Sequence, residues 1–550
     1  MYSMTIASLP FPIEAYKDEH PAESGIWGAE VAKAGLLRAV LQHSQCETVY
    51  LPCTTRRQLS EAGDRLMAYP NRERFRPVLV ADYPHVARHG RMVFFHPGSS
   101  GEDGIRDPGL QGLVNMRAFV GGDPWPVIGV THSISGGPGF WYAFGALLRA
   151  LRSQDALVCT SRAGRAAVER LTSAASARQP PEKIRCRLPV IPLGTDATTY
   201  RPGEKAPART RLGLAQGAVV ILYLGRFSAH YKADLFPLVL AFRRLPPKQR
   251  AIATLVLAGD DVPHQITPRL EKFAGELGVG DMVTVIPNPT SDIKRSLYDA
   301  ADVFVSPTDS VQETFGQTVI EAMACGLPVI ASDWDGHRDS VQHGVTGFLV
   351  PTQWADCFEH LRHTPFLWEP LELYRHLGQA TSVDMRSLTQ YLERLIDSPA
   401  LRTRMGAEAR RRVVQHHDWP VIVRQYEALW LELLDQERSR ADDPPCDDLG
   451  FDYLETFRAH PTSLINSDTR VQISAEGAEL AAGGLQFLRV TELSEELEIC
   501  TKILATCGAD RRIPISELMA RVSAAAPQSR HQCFPQIAQL VKYGLLELVN

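Results

Sequence analysis

Residues Ser306–Val350 read SPTDSVQETFGQTVIEAMACGLPVIASDWDGHRDSVQHGVTGFLV. They begin where the apolar run Ala301-Asp302-Val303-Phe304-Val305 stops, as the carboxyl end of a buried parallel strand does. A polar loop then leads to Glu313-Thr314-Phe315-Gly316, and Gln317 to Cys325 is rich in helix formers. Gly326 and Pro328 close that segment, a glycine just past the last turn and a proline beyond it. Val329-Ile330-Ala331 is the next buried strand. Strand, loop, helix and strand in this order predict an α/β unit with a glycine at the helix entrance.

That geometry has chemical content. The first N–H groups of a helix lack partners within it, and the helix dipole favours negative charge there. A diphosphate fits against the amides of Thr314, Phe315, Gly316 and Gln317, with Gly316 allowing close approach. Glu313 precedes the helix and Glu321 lies about one turn inside it, between Val319-Ile320 and Ala322-Met323-Ala324. A carboxylate in such a setting needs donors, and a ribose or hexose diol supplies two. Two glutamates do not neutralise a diphosphate, so cations must come from elsewhere. On spacing alone, an ordinary helix with a solvated glutamate pair remains the alternative.

Glu313 and Glu321 are separated by seven residues, and ETFGQTVIEAMACGLPVIASD resembles the E-x7-E region of retaining glycosyltransferases of family 4. The resemblance runs over about 45 residues without a gap. It implies the GT-B fold, an α/β class with two Rossmann-like domains facing a cleft.

The remainder of the 550-residue chain is consistent with several domains. Hydrophobic content of 44% and charged content of 22% describe a globular protein, and a net charge of −5 gives no basic field for nucleic acid. No apolar run reaches the roughly 18 residues that span a bilayer, and MYSMTIASLPFPI has no signal-peptide pattern. The ten cysteines show no CxxC or zinc spacing. A cytoplasmic protein, at most peripheral at the inner face of the membrane, is the expectation.

Residues 1–205 form the expected N-terminal, acceptor-side Rossmann-like domain. Ser24-Gly25-Ile26-Trp27-Gly28 leads into a helical stretch, Ala29 to Leu41; a bare glycine pair permits a turn or admits a ligand. The family carries a glycine-rich loop here, so the resemblance makes Ser24, Gly25 and Gly28 candidates. Arg56, Arg57, Arg65, Arg72, Arg74 and Arg76 make a basic region, read as a solvated face with lipid headgroups as the sharper alternative. Pro126 to Thr131 reads as a strand, with His132 at its carboxyl end, where α/β proteins bind ligands. The resemblance places such a histidine near the donor sugar. Gly136 to Gly139 reads as a loop before an aromatic-rich helix that runs to Leu151, and Ser161 as the N-cap of the helix from about Ala163. Val190 to Asp196 resembles the family's PxGxD segment at the domain junction.

Residues 206–400 form the expected nucleotide-sugar-binding domain. Val219 to Leu224 is its first strand, followed by Gly225-Arg226-Phe227 and, six residues after Arg226, by Lys232. An arginine fork and a lysine point charge at the mouth of a sheet balance a diphosphate. LGRFSAHYKAD resembles the family's GRxxxxKG region, with Ala233 in place of the usual glycine. Pro287, after the strand from Val283, sits where the family's backbone meets the nucleotide base. Asp333-Trp334-Asp335 has the DxD pattern of metal-dependent glycosyltransferases of another fold; so short a pattern arises by chance, and it is not read as a metal site. The family's GGxxE acid is represented only by Asp339.

Residues 401–437 resemble the closing helices that return to the first domain, with Met405 to Leu434 read as helical. A charged linker, Arg438 to Asp448, precedes residues 449–550, which lie outside the resemblance. Their pattern of helices from Glu492, Ile515 and Phe534 and a strand from Leu545 looks winged-helix-like. Without a basic stripe, such a module suits a protein partner or self-association rather than nucleic acid.

The resemblance thus implies transfer of a hexose from a nucleotide diphosphate sugar, UDP- or GDP-linked, to a hydroxyl acceptor of a glycan, lipid or small molecule. Retention at the anomeric carbon, no metal and no separate cofactor go with it. Its expected donor-site residues are Arg226, Lys232, Pro287, Glu313, Thr314, Phe315, Gly316, Gln317 and Glu321, with His132 near the reacting sugar. The alternatives are an epimerase or phosphorylase on the same fold, or a catalytically silent scaffold acting through residues 449–550.

Overall fold

The computed structural model describes residues 5–8, 28–53, 61, 62, 66, 72–79, 92–98, 110, 112–114, 117, 125–135, 138–175, 184–262, 265–356, 361, 368, 370–436, 453–483, 497–508, 512–525 and 533–549. They fall into two compact units. The first comprises Met1–Ala22, Ile26–Asp196 and Gln415–Asp452; the second includes Ala197–Val414 and Tyr453–Asn550.

The first unit is built on parallel strands β1 (Thr5–Ser8), β2 (Thr48–Cys53), β3 (Phe75–Leu79), β4 (Met92–Phe95), β5 (Val127–Val130) and β6 (Ala156–Val158). Their order across the sheet is β3-β2-β1-β4-β5-β6. Strands β4, β5 and β6 are buried along their whole length, which is why their sequences are continuous apolar runs. The core joins Leu36, Leu37 and Val40 of helix Gly28–His43 to Phe95, Ile128 and Val130. Helix Trp419–Leu434 completes it, with Tyr426 and Trp430 at 5.5 and 5.3 Å from the Phe95 ring. The helical stretch expected from Met405 to Leu434 is two helices, Pro399–His416 and Trp419–Leu434. They part at Asp418, the N-cap of the second, because Pro420 is tolerated only in a first turn.

Three local readings change or hold. Helix Pro138–Ala150 starts earlier than expected and takes Pro138 and Gly139 into its first turn. Arg74, expected on a solvated face, is buried, and its guanidinium donates to the carbonyls of Leu41 and Ser44. Ser161 does cap its helix, its Oγ accepting from the Gly164 N–H at 2.9 Å. Arg56, Arg57 and Arg65 lie outside the described residues.

The second unit repeats the architecture. Its parallel strands are β7 (Val219–Leu224), β8 (Ala253–Gly259), β9 (Val283–Pro287), β10 (Val303–Ser306), β11 (Val329–Ser332) and β12 (Gly347–Val350). The order is β12-β11-β10-β7-β8-β9. Read outward from its first strand, each sheet has the doubly wound order 3-2-1-4-5-6, and ligands bind such sheets beyond the strand ends where the order reverses. In the second unit that switch point lies between β7 and β10. The loops leaving those two strands carry Arg226 and Lys232, and Glu313.

Residues from Tyr453 onward join this unit. Strand β13 (Thr352–Ala355) pairs antiparallel with β14 (Thr381–Val383) and parallel with β15 (Ser463–Ile465). A further small sheet has the order β17-β16-β18, with β16 at Arg470–Ile473, β17 at Ile513–Pro514 and β18 at Leu546–Val549. Around it lie helices Ala475–Gly483, Leu497–Cys507, Ile515–Ala525 and Cys533–Lys542. The last three helices and β18 are those expected; β15, β16 and β17 were not, being too short to stand out by alternation.

Candidate active site

The loop after β7 turns sharply at Gly225. A Cβ there would lie 2.8 Å from the Tyr223 hydroxyl, so the close approach of the loop to that buried tyrosine depends on glycine. The Phe227 N–H donates to the Asp260 carbonyl at 2.7 Å, and the Lys232 N–H to Ser228 at 2.9 Å. These bonds fold the loop back so that the Lys232 ammonium forms an ion pair with Glu313 Oε2. Arg226 lies over the Tyr231 ring, 5.6 Å from its centroid. Burial lowers the guanidinium's pKa, opposed by Asp260 and the neighbouring tyrosines.

Glu313 enters from the loop after β10. Burial opposes its ionisation, yet Lys232, His337 and the Phe315 amide outweigh that and hold its carboxyl down at about 2. The Phe315 N–H donates to Oε1 at 3.4 Å. Gly316 follows at φ +94°, and helix Gln317–Ala324 starts directly after it. A Cβ on Gly316 would be strained there and would stand 2.6 Å from the His337 ring. Lysine, carboxylate and helix entrance are therefore assembled at one point. Because the folded pKa of Glu313 is depressed, the stability it contributes is present above about 4.5 and is lost as pH falls towards 2. The expected result is a difference in unfolding free energy between wild type and Glu313→Gln that is constant from neutral pH to about 5 and shrinks below 4.5. Denaturant titrations at stepped pH measure it.

Glu321 lies inside the helix, 3% exposed. The donors it needs come from the protein: Lys294 Nζ at 2.8 Å and the Tyr298 hydroxyl at 2.7 Å, both on Oε2. Burial disfavours the Lys294 ammonium, but Glu321 and Tyr200 outweigh it and raise its pKa above the ordinary lysine value. Lys294 and Tyr298 share one turn of helix Ser291–Ala300. Sequence reading missed both, and it missed His337; nothing local marks them, because their partners are remote in the chain.

Among the other expected residues, Thr314 and Phe315 are buried, Gln317 is half-buried, and Pro287 is exposed at the end of β9. In the first unit His132 is 5% exposed, and its Nε2–H donates to the Pro97 carbonyl at 2.6 Å. Burial, then Lys33, push its pKa down to about 3, so the ring is neutral. Lys33 and His96 are buried in the same unit. Gly28 opens helix Gly28–His43, whereas Ser24 and Gly25 lie outside the described residues. Asp333 is taken up by Arg338 at 2.7 Å and by the Thr462 hydroxyl at 2.7 Å, and Asp335 by His460 at 2.7 Å. Among the described residues no group of three or more His, Cys, Asp or Glu side chains could hold a metal ion. None of the described helices is long and apolar enough to cross a membrane.

Two Rossmann-like units, the second with a lysine–carboxylate pair at its switch point, describe the GT-B class of fold. Residues 204–364 match the model of the family described as glycosyl transferases group 1. Among curated proteins, the D-inositol 3-phosphate glycosyltransferase of Nocardia farcinica is 37% identical over 180 residues, 32% of this chain and 39% of that protein. The enzyme of the same name from Mycobacteroides abscessus is 30% identical over 286 residues, 49% of this chain and 63% of that one. The chain thus spans less than two thirds of the length of either relative, 39% of the first and 63% of the second. Among solved structures, a glycosyltransferase from Rickettsia africae aligns with a TM-score of 0.53 at 15% identity, over 80% of this chain and 100% of that one. HepE of Anabaena in complex with UDP aligns at 0.52 and 16%, over 78% of this chain and 100% of its own. These similarities establish the GT-B fold.

Proposed function

We propose that the protein is a retaining, metal-independent glycosyltransferase that moves a hexose from a nucleotide diphosphate sugar to a hydroxyl acceptor. The observation that carries this reading is the Lys232–Glu313 pair at the entrance of helix Gln317–Ala324, inside the segment that matches the family. Lys232 and Arg226 bind the diphosphate and stabilise the negative charge that grows on it as the glycosidic bond breaks. Helix amides at Gly316 and Gln317 add to that field. Glu313, kept ionised, accepts from the donor sugar's hydroxyls. Glu321 uses Oε2 for Lys294 and Tyr298 and offers Oε1 to the ribose. HepE is solved in complex with UDP and with UDP-glucose, which supports testing uridine nucleotides first.

The test is thermal stabilisation by UDP-, GDP-, ADP- and TDP-sugars, repeated on Lys232→Ala. A donor present at about 100 times its dissociation constant adds roughly 2.7 kcal/mol of stability. One donor should shift the wild type and leave the variant unmoved. No shift with any of the four rejects the donor site. Analysis of the product's anomeric configuration, with and without acceptor, then separates transfer with retention from epimerisation or phosphorolysis.

A further inference from the structure

Helix Cys533–Lys542, near the end of the chain, is buried on every side. Ile537, Ala538 and Leu540 are fully covered, and so are the polar Gln536, Gln539 and Lys542. A helix covered all round belongs to a core rather than to an appended module. It lies against β13, β14 and helix Pro370–Gln379. Its last residues reach two buried aspartates on the loops that form the candidate site.

Asp309 stands four residues before Glu313, and Asp234 two residues after Lys232; they are 0% and 3% exposed. The two acids face one another, the Asp234 N–H donating to Asp309 Oδ2 at 3.4 Å. Lys542, 3% exposed, is ion-paired with Asp309 and lies 4.0 Å from Asp234 Oδ2. The Tyr543 hydroxyl donates to that same Asp234 oxygen at 2.8 Å. Two buried carboxylates on adjacent loops repel each other and resist burial unless a cation and hydrogen bonds compensate them. Burial pushes the Asp309 carboxyl up to about 6 even with Lys542 drawing it down, while Asp234 adds to the rise. The arrangement is anchored further by Arg244, whose guanidinium donates to the Gly544 carbonyl at 2.8 Å.

We propose that Lys542 and Tyr543 are positioning residues of the donor site: by neutralising Asp309 and holding Asp234 they fix the two loops that present Glu313 and Lys232. Residues 453–549 are then a structural part of the donor-binding unit. The functional half of this inference rests on the donor-site reading above; the structural half does not.

The experiment compares wild type with Lys542→Met, Tyr543→Phe and Lys542→Met/Asp309→Asn. Hydrogen exchange is followed by mass spectrometry over residues 228–234 and 307–316, and binding of UDP-glucose and GDP-mannose by calorimetry. Lys542→Met is expected to speed exchange in those two segments at least about tenfold and to weaken the bound nucleotide sugar about tenfold. Tyr543→Phe, which keeps the ring's packing, should do the same to a smaller extent and serves where Lys542→Met does not fold. The double variant should recover most of the loss, because an amide at position 309 no longer needs a cation; a lysine that acts by packing alone would not be rescued this way. Unchanged exchange in both loops, or a double variant no better than Lys542→Met, overturns the proposal. If neither nucleotide sugar binds the wild type, the four-donor panel decides the donor reading, and the exchange data still decide the role of Lys542.

Discussion

Replacing Lys232 with alanine is expected to lower glycosyl transfer at least about a hundredfold, a loss of roughly 2.7 kcal/mol of transition-state stabilisation. The reason is the timing of charge. The diphosphate gains negative charge as it leaves, so a fixed ammonium stabilises the transition state more than the bound donor. On the proposed function Lys232 is preset for this, because backbone bonds to Ser228 hold its loop against Glu313. Glu313→Ala should cost a similar factor by a different route. On the same reading it removes the acceptor for the sugar hydroxyls, and it releases Lys232 from its ion pair. Since the two residues touch, the double variant should lose less than the sum of the singles. Steady-state kinetics on variants with wild-type circular dichroism and exchange behaviour provide the measurement. Turnover near normal in either folded single variant would remove this pair from the site.

The second large effect concerns stability. Asp155→Ala is expected to destabilise the first unit by about 3–5 kcal/mol, the usual consequence of breaking a buried ion pair from one side. Asp155 is fully buried, and its carboxylate accepts Arg117 Nη1 and Nη2 at 2.6 and 2.8 Å. It also accepts the backbone N–H groups of Val127 at 2.9 Å and Arg152 at 2.7 Å. Truncation would leave the Arg117 guanidinium, 2% exposed, buried without its partner. The Val127 bond ties the start of β5 to the start of β6, so the change also loosens the strand that leads to His132. Scanning calorimetry should show a midpoint lowered on the order of 10 °C. A change below about 1 kcal/mol would mean that the pair is replaceable by water and does not hold these strands.

Asp302 plays the corresponding part in the second unit. It precedes β10, accepts the Val220 N–H at 2.8 Å and pairs with Arg209 at 2.6 Å. An aspartate just before an apolar strand was visible in both units as a polar interruption, Asp155-Ala-Leu-Val and Asp302-Val-Phe-Val. Its role was not, because each partner arginine lies dozens of residues away.

Much of the donor half was legible in residue order. Strand β7 coincides with its expected bounds, and helix Gln317–Ala324 ends one residue short of them, because apolar runs, Gly316 and Gly326 are local signals with local causes. The juxtaposition of Lys232 with Glu313 was inferable only as two groups serving one donor, at its diphosphate and its sugar; the ion pair itself needed the sheet, which brings β7 and β10 side by side. Glu321 shows the limit of such reading. Its burial followed from its apolar neighbours, but its donors, Lys294 and Tyr298, sit on a different helix.

The final hundred residues mark the division most sharply. Their amphipathic periodicity determined three helices and a closing strand, since the pattern of apolar positions is written residue by residue. Whether they stood apart or joined the second unit was decided by tertiary structure alone. Strand β15 completes the edge of β13, and Lys542 and Tyr543 satisfy two aspartates more than two hundred residues earlier. A buried charge selects its partner by distance in space and by the need for compensation, and neither is encoded in the neighbours it has along the chain.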